Sequence, residues 1–169
     1  MSAIKYHVPA PFSAVDQGHA DLCWLAASAV VFQWSSGLPV SLQQAANRLG
    51  VEFIAKYAQG AALQYGDVPL WRARGPFQSQ NQQCLDASGW ETLLRQHGPL
   101  ITLVSANATD KIDHVVVVGG IEGDGTPTGT SLTVADGNGG IVSAVTLATV
   151  TTMFEVQQGT DQLFSVMYI

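Results

Sequence analysis

The chain has 169 residues, 47% of them hydrophobic and 12% charged, with a formal charge of −6 at pH 7. That length suits one domain, residues 1–169, with a core of its own, and the apolar share excludes a disordered chain. The acidic balance, with no basic run beyond Arg72-Ala73-Arg74, argues against nucleic acid or an anionic membrane as a partner.

The start, Met1 to Pro9, lacks the apolar stretch of a signal peptide, and no segment reaches the ~18–20 apolar residues of a membrane-spanning helix. A soluble protein without membrane insertion is expected, either cytoplasmic or exported by a dedicated secretion system. Residues 4–16 read as extended or irregular, since Pro9 and Pro11 disfavour helix around them. From Leu22 to about Trp34 the chain has almost no polar face, which predicts a helix buried on nearly all sides. Asp21 stands where an N-cap would, and Ser35 to Pro39 supply a terminator. Ser41-Leu42-Gln43-Gln44 is a capping box opening a helix over Leu42–Leu49, which Gly50 closes; 51–58 continue as one or two further turns. Residues 59–83, rich in Gly, Gln and Pro without a clear period, read as irregular. Ser88-Gly89-Trp90-Glu91 reads as a second capping box, starting a helix that stops at Gly98-Pro99.

After Pro99 the pattern changes to β-branched runs: 100–104, 114–118, 131–135, 141–145 and 162–168, with a short helix within 147–158. Asp136-Gly137-Asn138-Gly139-Gly140 joins two of them as a hairpin. Helices in the first half and an antiparallel sheet in the second make an α+β fold, with a lobe from each half.

The chemistry centres on Cys23. A cysteine at a helix start faces unpaired N–H groups and the positive end of the dipole, which favour a thiolate. Gln17, six residues upstream, brings a side-chain amide that can donate to an oxyanion. Cys84 is the second of two cysteines, too few for a disulfide framework, and a bridge between them would mask the nucleophile. Of the four histidines, His7 and His97 read as structural or solvated, and His19 as a loop residue whose nearness in sequence does not make it face Cys23. His114 opens a strongly apolar strand, where a histidine needs a buried partner or a task, and it is the candidate base. Asp113, adjacent in a strand, points to the opposite face. The orienting residue is Asp136, at the end of the next strand, or Asn138 two residues later.

These residues resemble a known family. Gln17 followed by Cys23-Trp24 and a helix of small residues is similar to the signature of papain-like cysteine proteases. Gly98-Pro99-Leu100, His114 through Ile121, Gly123 to Pro127 and Val134-Ala135-Asp136 resemble the compact bacterial branch, which includes AvrRpt2-type effector proteases and C39-like peptidases. The resemblance runs from about Tyr6 to Ala144. It implies a papain-like fold with the nucleophile helix of an N-terminal helical lobe packed on a C-terminal sheet lobe. It makes Cys23 the nucleophile, His114 the base, Asp136 the orienting acid and Gln17 the oxyanion donor. Gly137 departs from the branch's pattern, in which proline follows the acid, and this keeps Asn138 open as the alternative. The expected activity is peptide-bond hydrolysis, with no cofactor and no metal, on a protein or peptide substrate. The same residues would serve a deamidase, amidase or acyl transferase, and a catalytically silent binding module is the rival of another class. A role as a secreted effector or toxin, held in check by a cognate inhibitor or immunity protein, follows from the resemblance alone.

Overall fold

A computed structural model describes residues 3–80, 85–104, 112, 114–155 and 166–169. In chain order the elements are β1 (Ile4–His7), α1 (Cys23–Ser36), α2 (Leu42–Leu49), α3 (Val51–Ala58), a single 3-10 turn (Tyr65–Asp67), α4 (Val68–Arg74), β2 (Gln78–Ser79) and α5 (Ala87–His97). There follow β3 (Leu100–Val104), β4 (His114–Gly123), β5 (Thr130–Asp136), β6 (Ile141–Thr146), α6 (Leu147–Glu155) and β7 (Val166–Tyr168). Cys84, Asp113, the end of the helix expected within 147–158 and the first part of the last expected strand lie outside the described residues.

Helix α1 is buried along almost its whole length, from Cys23 to Gln33, as its lack of a polar face requires. Gly37 ends it in the left-handed conformation, where its N–H reaches the Gln33 carbonyl. The predicted capping box of α2 is present in both directions, with Gln44 N–H donating to Ser41 Oγ at 3.2 Å and Ser41 N–H to Gln44 Oε1 at 2.8 Å. The box expected at Ser88 does not form. Asp86 caps α5 instead, accepting from Gly89 N–H at 2.8 Å and from Ser88 Oγ at 2.9 Å, because its short carboxylate reaches both donors. Glu91 pairs with Arg95 one turn on, at 2.7 Å.

Within the stretch read as irregular, the structure forms α4. Pro69 lies in its first turn, where the missing N–H removes no helical bond. Trp71 of α4 is fully buried and donates through Nε1 to Ser28 Oγ at 3.0 Å, and Ser28 Oγ donates to the Trp24 carbonyl at 2.8 Å. This network fastens α4 to the middle of α1.

All pairings in the sheet are antiparallel, in the order β2-β7-β3-β4-β5-β6. Strand β4 is long enough to divide one edge: β3 pairs with His114–Val118 and β1 with Gly120–Gly123, while β5 takes the other edge. One core joins α1–α4 to Ile101, Leu103, Val115, Val117 and Ala135, on one face of the sheet. A second core joins α5 and α6 to Leu100, Val118, Leu132 and Val134, whose alternation places them on the opposite face. The result is the α+β, papain-like arrangement: an N-terminal helical region packed through α1 on an antiparallel sheet.

Candidate active site

Cys23 is the first residue of α1, and its free thiol is 3% exposed. Leu22, not Asp21, is the N-cap, and it makes no side-chain cap bond. The chain reaches the helix through two tight turns, His19 N–H to Gln17 O and Leu22 N–H to His19 O, and these delay the start by one residue. The Leu22 carbonyl accepts from Leu25 and Ala26. The main-chain N–H groups of Cys23 and Trp24 precede that first helical bond, and they turn to the sulfur together with the N–H of Val115.

Burial nevertheless dominates the ionisation of this group. It pushes the Cys23 thiol up to about 11, against the downward pull of the Val115, Trp24 and Cys23 N–H groups, and the Asp136 carboxylate adds to the rise. Burial therefore works against the expected thiolate here. Removing water from the sulfur costs more than a helix start returns.

His114 opens β4 and Asp136 closes β5. Asp136 lies opposite Val116, so His114 and Asp136 are diagonal neighbours on one face of the pair. His114 Nε2 and Asp136 Oδ1 are 2.9 Å apart, with both side chains about 30% exposed. A carboxylate accepts only, so Nε2 carries the proton, and in the neutral ring Nδ1 is the basic nitrogen. Asp136 Oδ1 also accepts from the main-chain N–H of Asn138 at 2.8 Å. Asn138 itself is exposed and contributes its backbone to the turn, so the geometry brings Asp136 and not Asn138 to the imidazole. Among the described residues no hydrogen bond joins Cys23 Sγ to the His114 ring; the link between α1 and the start of β4 is the Val115 N–H, one residue along from His114.

Gln17 is buried, and its Nε2 donates to the carbonyls of His19 and Ala20, each at 3.0 Å. Both amide hydrogens thus hold the loop that leads into Cys23, while Oε1 is buried without a hydrogen-bond partner among the described residues. Gln17 N–H donates to the Gly137 carbonyl at 2.8 Å, tying this loop to the turn after Asp136. The same contact accounts for the glycine where the resemblance leads one to expect proline. A Cβ on Gly137 would sit 2.7 Å from the Ala26 Cβ and 2.9 Å from Gln17 Oε1.

The remaining histidines are engaged elsewhere. His19 is exposed, accepts from Asp21 N–H at 3.3 Å and lies over Gly60. His7 faces Glu122 at 3.6 Å, and His97 stacks on Tyr168 at 3.7 Å, where burial lowers its pKa. Among the described residues no group of three or more His, Cys, Asp or Glu side chains could hold a metal. Sequence reasoning missed the Val115 N–H and the Gly137 contact, because a main-chain donor and the space left by a missing Cβ have no signature in residue types.

A family model described as papain-like cysteine protease AvrRpt2 matches residues 2–155, whereas comparison with curated proteins gave no match. That span takes in α1 with Cys23, the β4–β5 hairpin with its His114–Asp136 pair and the Gln17 loop, and by it the chain belongs to the AvrRpt2 family of papain-like cysteine proteases.

Proposed function

We propose that the protein is a cysteine peptidase that cleaves amide bonds through Cys23, with His114 as base, Asp136 as orienting acid and Gln17 as an oxyanion donor. The observation that carries the reading is the 2.9 Å pair between His114 Nε2 and Asp136 Oδ1. It leaves the basic nitrogen of a ring one residue from Val115, whose N–H faces the Cys23 sulfur. In the reaction, the Cys23 sulfur attacks the substrate carbonyl carbon while its proton passes to His114 Nδ1. Asp136 stabilises the imidazolium that forms. Main-chain N–H groups at the start of α1 receive the oxyanion, joined by Gln17 Nε2 when it releases one of its two carbonyls. The C–N bond breaks, the amine leaves with the proton from His114, and water activated by the same ring hydrolyses the thioester.

A protein or peptide substrate, export by a dedicated secretion system and control by a cognate inhibitor or immunity protein belong to the same proposal, and rest on family membership. The test is a mixed peptide library incubated with the protein, with Cys23→Ala and with His114→Ala, read by mass spectrometry. Cleavage by the first alone supports the reading, and equal cleavage by Cys23→Ala removes it. A gain of about one mass unit without scission, lost in Cys23→Ala, would assign the same residues to deamidation.

A further inference from the structure

The turn between β5 and β6 does more than reverse the chain. Gly139 and Gly140 have φ of +77° and +62°, so their glycines are required by the backbone itself. Gly137 is not in that region; it is buried, and what it lacks is room. A Cβ there would meet the Ala26 Cβ at 2.7 Å, Gln17 Oε1 at 2.9 Å and Gln17 Cβ at 3.3 Å. Ala26 is 1% exposed and sits on α1 one turn beyond Cys23, so neither side of the contact has space to retreat. The Gly137 carbonyl accepts from Gln17 N–H at 2.8 Å, and Gly140 lies against the backbone of Asp16. The residue before Gly137 is Asp136, and the one after it donates its N–H to the Asp136 carboxylate.

We propose that Gly137 is a positioning residue: by letting the turn close onto Ala26 and Gln17, it fixes the Asp136 carboxylate, and through it the His114 ring, relative to Cys23. This rests on the Cys23–His114 reading given above and adds to it the device that registers the sheet half of the site on the helix half. The contact acts on Asp136 through one peptide unit and on Gln17 directly. A methyl group at Gly137 therefore moves both toward solvent by a few tenths of an ångström to an ångström, and such misplacement is worth ~10²-fold in rate at the upper end.

The experiment measures alkylation of Cys23 by iodoacetamide near neutral pH in the full chain, with modification followed at Cys23 by peptide mapping. The proteins are the wild type, His114→Ala, Gly137→Ala, Ala26→Gly and the double variant Ala26→Gly/Gly137→Ala, each with a melting curve. The wild type is expected to react about tenfold or more faster than His114→Ala, because the ring takes the thiol proton. Gly137→Ala is expected to fall to the His114→Ala rate, and the double variant to recover part of the loss, since it removes the contact with the Ala26 Cβ and leaves the one with Gln17 Oε1. A wild type no faster than His114→Ala overturns the Cys23–His114 reading and this proposal with it. A fast wild type with Gly137→Ala equally fast overturns the proposal alone, and so does a loss of which Ala26→Gly restores no part. If Gly137→Ala does not fold, the double variant decides, and a folded double variant reacting at the His114→Ala rate refutes the positioning role.

Discussion

The protonation of Cys23 can be measured through stability, and this separates a neutral thiol from a preformed thiolate–imidazolium pair. The thiol is raised from 9.0 to about 11 by burial. Between those values the unfolded chain loses the proton and the folded chain keeps it, so the unfolded state gains by ionising and the folded state does not. The stabilisation linked to Cys23 is thus fully present below pH 9 and is lost as pH rises toward 11. Two pH units at 1.36 kcal/mol each set the loss at about 2–3 kcal/mol, an upper bound for a group this buried. The assay is urea unfolding of the wild type and Cys23→Ala from about pH 8 to about pH 11, taking the difference in unfolding free energy at each pH. Every other group is common to the two proteins and cancels in the difference. The difference should fall by about 1.4 kcal/mol per unit across the window. A difference that is flat there, together with ultraviolet absorbance of a Cys23 thiolate near neutral pH, would show that the helix start and His114 outweigh burial.

Three further outcomes follow from the geometry. Asp136→Asn keeps the size of the side chain but can place an amide donor against His114 Nε2, favouring the wrong tautomer; kcat for peptide cleavage should fall about 10²–10⁴-fold, and a change under about threefold would refute the orienting role. Ser28→Ala removes the acceptor of the buried Trp71 Nε1–H and should lower stability by about 1–3 kcal/mol in urea unfolding. Gln17→Ala frees the His19 and Ala20 carbonyls and removes the candidate oxyanion donor, so kcat should drop ~10²-fold with a lowered melting temperature; a lowered melting temperature with kcat intact would reduce Gln17 to a loop clasp.

The sequence was most readable where local chemistry and burial agree. The α1 run has no polar face, so burial and helix arise from the same residues, and the Ser41–Gln44 box fixes α2 to the residue. His114 and Asp136 were legible as a pair because a hairpin of known period puts strand ends on a common face. Three features escaped for physical reasons. Pro69 reads as a breaker yet sits in the first turn of α4, and that helix is held by Trp71 reaching Ser28, forty-three residues away. Asp86 outcompetes Ser88 as a cap by reach, not by motif. The pairing of β1 with the far end of β4 joins Ile4 to Gly123, and nothing local to either segment encodes the partner. For the site, the residue types were visible but the ionisation was not, because desolvation depends on what the whole fold packs over the sulfur.

A raised thiol pKa is compatible with a reactive cysteine once the timing of charge is considered. A thiolate already paired with donors in the resting state would spend their interaction before the substrate arrives, and only contacts stronger in the transition state accelerate the step. Here burial pushes the Cys23 thiol up, against the pull of the Cys23, Trp24 and Val115 N–H groups. In the proposed reaction, as the proton moves to His114, negative charge appears on the sulfur and then on the substrate oxygen, beside main-chain donors at the start of α1. Positive charge appears on a ring whose Nε2 is held by Asp136 at 2.9 Å. The negative charge forms on a buried sulfur, where fixed dipoles act more strongly than in solvent, and the positive charge on a ring that is about 30% exposed. Burial disfavours the Cys23 thiolate in the free protein, and the same burial strengthens the contacts that the charge makes when it forms in the proposed reaction.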